Sequence, residues 1–589
     1  MTHSTPQHSA NPSQAAQRSP QAVLPSGWMI LVLAIAALVA APVLVVLAGI
    51  FTNSAAVWNH LASTVLFKYI VNSIWLMLGV GVGVVVIGVG TAWLVTMCRF
   101  PGRRMFDWAL LLPMAIPAYL LAYVYTELLV YYGPLQTWLR SRFGWSSAQD
   151  YWFPEVRSLW GAIVMLILVL YPYVYLLARS AFLSQSVCTL EASRSLGCNP
   201  WQSFFRVALP LARPAIIAGL SLALMETLND FGTVQYFGVE TFTTGIYRTW
   251  FGMGERVAAT QLAAVLLLFV LWLILLERWS RGQSRYYQTA NTIQQLPGYP
   301  LAGVRAIAAF LACWLPVALG FLVPGYALLR LAMSPSQPSD NAASDFSDGA
   351  DDFATAASGS RVDDRFWSFA SHSFTLAVLT AAIAVILSVV MAYGVRLYPK
   401  RGTRFATQLA AMGYAVPGSV IAVGILVPLG GLDNAISAWM RSTFGISTGL
   451  LLSGTITALI YAYLVRFLAV SFSSVDASLT SIKPSLDDAA RSLGHSPTST
   501  LLRVHAPLMW GGMLTAAMLV FVDVMKELPA TLIVRPFNFD TLAVRVYNLA
   551  SDERLAEAAT PALAIVVVGL IPVILLSWRI AHTRQREIE

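Results

Sequence analysis

The stretch EASRSLGCNPWQSFFRVALPL, residues 191–211, returns as DAARSLGHSPTSTLLRVHAPL at residues 488–508. A shift of 297 makes ten positions identical: Ala192/489, Arg194/491, Ser195/492, Leu196/493, Gly197/494, Pro200/497, Arg206/503, Val207/504, Pro210/507 and Leu211/508. Each copy is polar at its head, basic in its middle and punctuated by prolines. Each interrupts a series of long apolar runs, and those runs decide the fold. They lie at about 27–50, 69–96, 106–132, 159–183, 213–239 and 258–279, then at 301–331, 370–396, 405–431, 447–471, 510–535 and 557–581. A bilayer core is crossed by roughly 20 apolar residues in a helix. The runs are continuous rather than alternating, which excludes a membrane β-barrel. The chain reads as an all-α polytopic membrane protein of about 12 transmembrane helices, six in each half.

Composition agrees. Hydrophobic residues make up 57% of the 589 and charged residues 11%, against about 45–50% and 25% in soluble domains. The net charge of +8 does not signal nucleic acid. Only Lys68, Lys400, Lys483 and Lys526 are lysines, and the arginines gather at the ends of apolar runs, as membrane topology requires. With the N-terminus in the cytoplasm, the inner loops of the first half hold ten arginines and the outer loops six basic residues. That bias puts both termini in the cytoplasm. Residues 1–26, rich in Ser, Pro and Gln, read as a disordered cytoplasmic tail. Residues 27–300 and 301–589 form the two transmembrane halves, and 332–369 reads as a flexible periplasmic loop. The four cysteines make no CxxC pair and are expected to be free thiols.

Six helices is an even number, so both halves enter the membrane in the same direction. They are parallel repeats about an axis along the membrane normal. Asn72-Ser73 recurs as His372-Ser373, and Pro117 as Pro417, with a shift of 300. Prolines 113, 117 and 417 inside apolar runs predict kinks.

The repeated loop falls between the fourth and fifth helix of each half, on the basic side. Gly197 and Gly494 are placed to end one helix in the left-handed conformation. Asn199 and Ser496 then serve as N-caps, with Pro200 and Pro497 at the first helical position. Pro210 and Pro507 are expected to interrupt the chain again on its return to the membrane. The product is a short helix offered to the cytoplasm twice. Trp201, Phe204 and Phe205 would be a costly exposed patch unless something docks on it.

Glu191, Ala192, Gly197 and Pro210, with Asp488, Ala489, Gly494 and Pro507, resemble the EAA loop of ATP-binding-cassette importer permeases. Two copies in twelve helices look like the fused permeases of ferric-iron uptake, of the type I importer fold. Asp488 departs from the motif's Glu but keeps its charge. The resemblance implies that each loop seats in a groove of a separate ATPase subunit. It implies two copies of that cytoplasmic ATPase, one periplasmic solute-binding protein, and no covalent catalysis by this chain. No lysine follows a glycine, so the chain lacks a standard P-loop and ATP belongs to the partner. No cofactor is expected on this chain.

Each fifth helix carries two acids, Glu226 and Asp230, then Asp523 and Glu527, related by 297. At i and i+4 they share a helix face. A mid-bilayer charge costs about 2.5–3.5 kcal/mol, so such groups face a cavity or a partner. Hard carboxylate oxygens suit a hard cation such as Fe(III). The four acids are candidates for transient cation contact rather than for a resident metal site. Pairing with Lys526, Arg248 or Arg545 is the structural alternative. The stretch DFGTVQYFG also resembles ferric-iron permeases, which ranks iron first among cargoes. Thiamine, sulfate, molybdate or another small solute stays open within the class. A proton-coupled secondary transporter using the same acids is the alternative from another class.

Overall fold

The computed structural model describes residues 27–52, 55–185, 195–197, 199–281, 299–333 and 364–586. The expected tail and most of the expected periplasmic loop lie outside the described residues. Ten helices are long and apolar enough to cross a membrane, and two bent pairs raise the candidate spans to twelve. The first half contains α1 (Gly27–Ala48), α2 (Leu66–Met97), α3 (Arg103–Ala109), α4 (Ala118–Leu129), α5 (Leu159–Leu183), α6 (Leu209–Asn229), α7 (Gly232–Tyr236) and α8 (Arg256–Arg281). The second contains α9 (Val304–Val317), α10 (Val323–Met333), α11 (Asp364–Leu397), α12 (Arg401–Ala411), α13 (Gly418–Phe444), α14 (Ile456–Thr480), α15 (Ser485–Ser492), α16 (Trp510–Met525), α17 (Pro529–Val534) and α18 (Leu555–Arg586). Among the described residues the only strand pairing is a two-residue parallel ladder, Cys98-Arg99 on Tyr299-Pro300.

The repeat holds in local geometry. In each half the helix Ala118–Leu129 or Gly418–Phe444 starts directly after a proline that lacks a backbone donor and whose predecessor, Ile116 or Val416, is in extended backbone. Pro117 has φ −59° and ψ 144° after a 3-10 turn, and Pro417 has φ −58° and ψ 142° after another. In the first half this is a broken span rather than the kink expected, its two pieces meeting at 89°, whereas in the second half Gly418–Phe444 is long enough to cross by itself. The Asn72/His372 match is the same contact made twice. Asn72 donates to the Glu240 carbonyl at 2.9 Å, and His372 Nδ1 meets the Asp540 carbonyl at 3.2 Å.

Helix ends differ from the hydropathy reading at the fifth span. The apolar run continues to 239, yet α6 stops at Asn229 and the chain turns at Asp230, which has φ −61° and ψ 131°. The matching helix α16 stops at Met525. Short helices α7 and α17 follow the two breaks.

The halves exchange their first helices. α1 packs against α11, α12 and α13 of the second half, while α9 lies on α2 and α3 of the first half, and α10 touches α4 of the first half as well as α18 of its own. Gly394 admits Val32 so closely that a Cβ there would sit 2.5 Å from it. Each first helix therefore clasps the opposite half, and the central helices α4, α5, α6, α13, α14 and α16 enclose the middle.

Candidate functional site

The two loops are built from the same parts. Gly197 (φ +83°) and Gly494 (φ +80°) are left-handed, a conformation costing other L-residues roughly 1–2 kcal/mol. Asn199 caps the first short helix: the Gln202 N–H donates to its Oδ1 at 2.8 Å, and its own N–H donates to Gln202 Oε1 at 3.0 Å. Ser496 caps the second by accepting from the Ser499 N–H at 3.3 Å. Pro200 and Pro497 open the helices Pro200–Ser203 and Pro497–Thr500, and a π turn follows each, over Phe204–Ala208 and Leu501–His505. Glu191 and Ala192 lie outside the described residues.

Two expectations change. Pro210 does not interrupt its helix: the wider π turn lies just ahead of it, and a single helix continues from Trp201 to Asn229. Only in the second copy does the chain bend, by 77° at Met509 after Pro507. Phe204 is not part of the exposed patch. It is 9% exposed and packs on Trp93 at 4.9 Å, whereas Trp201 and Phe205 are 70% and 58% exposed. The second copy repeats this alternation, with Leu501 buried and Leu502 exposed. One residue anchors each short helix and its neighbour faces outward.

The second loop has a tether that sequence reasoning missed. Asp487, not its exposed neighbour Asp488, holds the loop to the membrane helices. Asp487 accepts from Arg396 Nε at 2.7 Å and lies 2.5 Å from Nε2 of the buried His505. Tyr393 donates to the Pro497 carbonyl at 2.9 Å. Partial burial raises the Asp487 pKa, but the hydrogen bonds from Arg396 and His505 outweigh it and hold it below the usual aspartate value. Asp488 pairs instead with Arg491, at 3.3 Å on the surface. The Asp487-Asp488 doublet was the available signal; no spacing rule says which of two adjacent acids turns inward.

The four membrane acids all line one cavity of about 120 Å³ between the halves. Its depth follows from its walls: Leu166 to Tyr173 lie around the middle of the 25-residue α5, and Arg466 around the middle of the 25-residue α14. The acids do not act as two equal pairs on a helix face, because the second of each pair sits in the helix break. Asp230 accepts from Thr233 Oγ1 at 2.9 Å and the Val234 N–H at 3.1 Å, capping α7. Glu527 does the same for α17, accepting from the Ala530 and Thr531 N–H groups at 3.1 Å and from Thr531 Oγ1 at 2.8 Å. Asp523 pairs with Lys526 at 2.9 Å. Glu226 lies 3.5 Å from Arg466, a cavity residue the sequence reading did not single out. Of the other expected partners, Arg248 goes to Glu240 and Arg545 lies over the Phe369 ring. Among the described residues no three His, Cys, Asp or Glu groups gather as a metal-holding cluster.

Residues 84–281 match the family of binding-protein-dependent transport system inner membrane components. With twelve candidate spans, two six-helix halves, paired loops and a central cavity, the chain is built as a multi-pass membrane protein and resembles the permeases of ATP-binding-cassette importers. That class implies a periplasmic binding protein and an ATPase as partners. Over most of its length the chain resembles ferric-uptake permeases. It is 27% identical to the Fe(3+)-transport system permease protein FbpB 2 of Haemophilus influenzae, covering 86% of this chain and 88% of that one. It is 22% identical to the ferric transport system permease protein FbpB of Actinobacillus pleuropneumoniae, covering 88% and 72%. The molybdenum transport system permease protein ModB of Escherichia coli is 28% identical over 34% of this chain and 86% of its own.

Proposed function

We propose that this chain is the path through which ferric iron, released by a periplasmic binding protein, enters the cell, driven by two copies of a separate ATPase. The observation that carries the coupling is the pair of capped short helices, each behind a left-handed glycine and each with an outward apolar residue. Four crossings precede the first loop and ten precede the second, so both face the side on which residue 27 begins. The arginine bias argues for the cytoplasm on that side, with both termini there. ATPase closure would push Gly197, Pro200 and Pro210, and Gly494, Pro497 and Pro507, toward the membrane. Phe204 and Leu501, seated in the membrane helices, would carry that push inward.

Iron as cargo is supported by the ferric transport that names these relatives and by a cavity with two more carboxylates than cations. Hard oxygen donors suit Fe(III). The presence of Arg466 and Lys526 in the same cavity favours a second reading, import of a small oxyanion, and the ModB similarity agrees with it. Competition decides between them. In proteoliposomes holding the permease, ATPase and binding protein, ATP-driven uptake of labelled Fe(III) should be suppressed by excess Ga(III) and untouched by molybdate or sulfate. The opposite pattern would replace iron with an oxyanion.

A further inference from the structure

The cavity is not symmetric in charge, although its frame is. The position of Arg466 in the first half is Val169, and that of Lys526 is Asn229. Both cavity cations therefore come from the second half, while the first half contributes Glu226 and Asp230 without a base. Arg466 is 4% exposed and reaches across the boundary between the halves. Its Nη1 donates to Asn229 Oδ1 at 2.5 Å, and its Nη2 lies 3.5 Å from Glu226 Oε1. Asn229 Oδ1 also accepts from the Gly418 N–H at 2.8 Å, so two donors of the second half converge on one acceptor of the first. A side chain at 418 would collide with this arrangement, since its Cβ would lie 2.7 Å from Glu527 and 3.2 Å from Arg466. Among the described residues Arg466 Nε has no partner.

The carboxylates differ in how far they are committed. Asp230 and Glu527 are spent on capping, and Asp523 holds Lys526 at 2.9 Å. Glu226 is 20% exposed on its side chain and makes longer contacts, 3.5 Å to Arg466 and 3.5 Å to Asn229 Nδ2. It is the acid a passing cation meets most readily.

We propose that Arg466 is a tethered counter-ion that closes the path: its guanidinium sits against Glu226 and Asn229 in the place a cationic cargo takes in transit. A guanidinium fixed at mid-membrane repels free cations and, through its bridge, holds the halves together. It is released by movement of α14. Thr480, at the far end of α14, lies 14 residues from Arg466, about 21 Å along a rigid helix, and the second loop follows directly. Arg396 ties that loop to the Leu479 and Ile482 carbonyls at 2.6 and 3.0 Å as well as to Asp487. Displacement of the second loop thus withdraws Arg466 from Glu226. The position of Arg466 in the first half is held by valine, so the first loop has no matching guanidinium to withdraw. The proposal deepens the importer reading and depends on it for the source of the push, but not on the identity of the cargo.

The test is passive ion entry into sealed proteoliposomes holding the permease with its ATPase, without ATP, binding protein or iron. Labelled Na+ and Cl− are the probes. Arg466→Met should raise Na+ entry by about tenfold or more, since it leaves the partly exposed Glu226 carboxylate without its counter-charge. Cl− entry should stay at the wild-type level. Arg466→Lys should keep the seal, which separates loss of the charge from misfolding. A tight Arg466→Met protein overturns the proposal. So does a leak that passes both ions equally and is not repaired by Lys, because that is general loosening. Neither result depends on whether ATP drives uptake of iron, so a wrong cargo and a wrong latch give different failures.

Discussion

Phe204 and Trp201 stand three residues apart and do opposite work. Phe204 fills a space against Trp93 and Phe182, while Trp201 stacks on Phe205 at the surface. Phe204→Ala should cost about 3–5 kcal/mol of stability, the usual penalty for truncating a buried aromatic. Trp201→Ala should leave the melting temperature of the purified permease unchanged and weaken ATPase association; a co-purification ratio and a melting curve separate the two. Asp487 makes a pH-dependent prediction. Its pKa is lowered in the folded protein, so its stabilisation is fully present above the unfolded aspartate value and is lost as pH falls through the lower, folded value. The stability difference between wild type and Asp487→Asn should therefore persist down to about pH 4 and vanish only below it. Sequence identified both loops but could not assign in and out within them. Phe204 and Phe205, or Asp487 and Asp488, are chemically alike, and only the packing of α2 and α11 beside them decides which one is buried.

At the scale of elements, the punctuation was legible and the helix ends were not. Left-handed glycine, cap and proline each follow from a local rule, so Gly197, Asn199, Pro200 and their partners Gly494, Ser496 and Pro497 fell where expected. Gly197→Ala and Gly494→Ala should each introduce about 1–2 kcal/mol of backbone strain in the turn. Their expected effect is a loss of ATP-driven uptake while the protein stays folded, read by flux and by circular dichroism on the same preparation. The breaks at Asp230 and Lys526 escaped the hydropathy reading because the chain stays apolar through them. The π turns escaped too, since a widened turn has no composition of its own.

For the whole molecule, two parallel six-helix halves were legible from the repeat alone. The exchange of first helices was not, because a uniformly apolar helix carries no mark of which neighbour it will face. Val32, Ala36 and Ala406 pack together across that exchange. Cysteines at Ala36 and Ala406, in a chain without its native cysteines, should cross-link under mild oxidation within the membrane. Absence of the cross-link would place α1 on its own half. The four acids, related by the 297 shift, line one cavity, but their separate contacts were hidden. Capping by Asp230 and Glu527, and the reach of Arg466 from α14, depend on long-range contacts that no local pattern encodes.

On the proposed reading, two matched loops transmit the work of a separate ATPase to this cavity, with ferric iron as the cargo. Its most direct measurement is ATP-dependent uptake of radiolabelled Fe(III) into proteoliposomes containing this chain, its ATPase and its binding protein, with the Gly197→Ala/Gly494→Ala double variant in parallel. Uptake should require all three proteins and ATP and be lost in the double variant. Uptake driven by a proton gradient without the ATPase, and unchanged in the double variant, would contradict it.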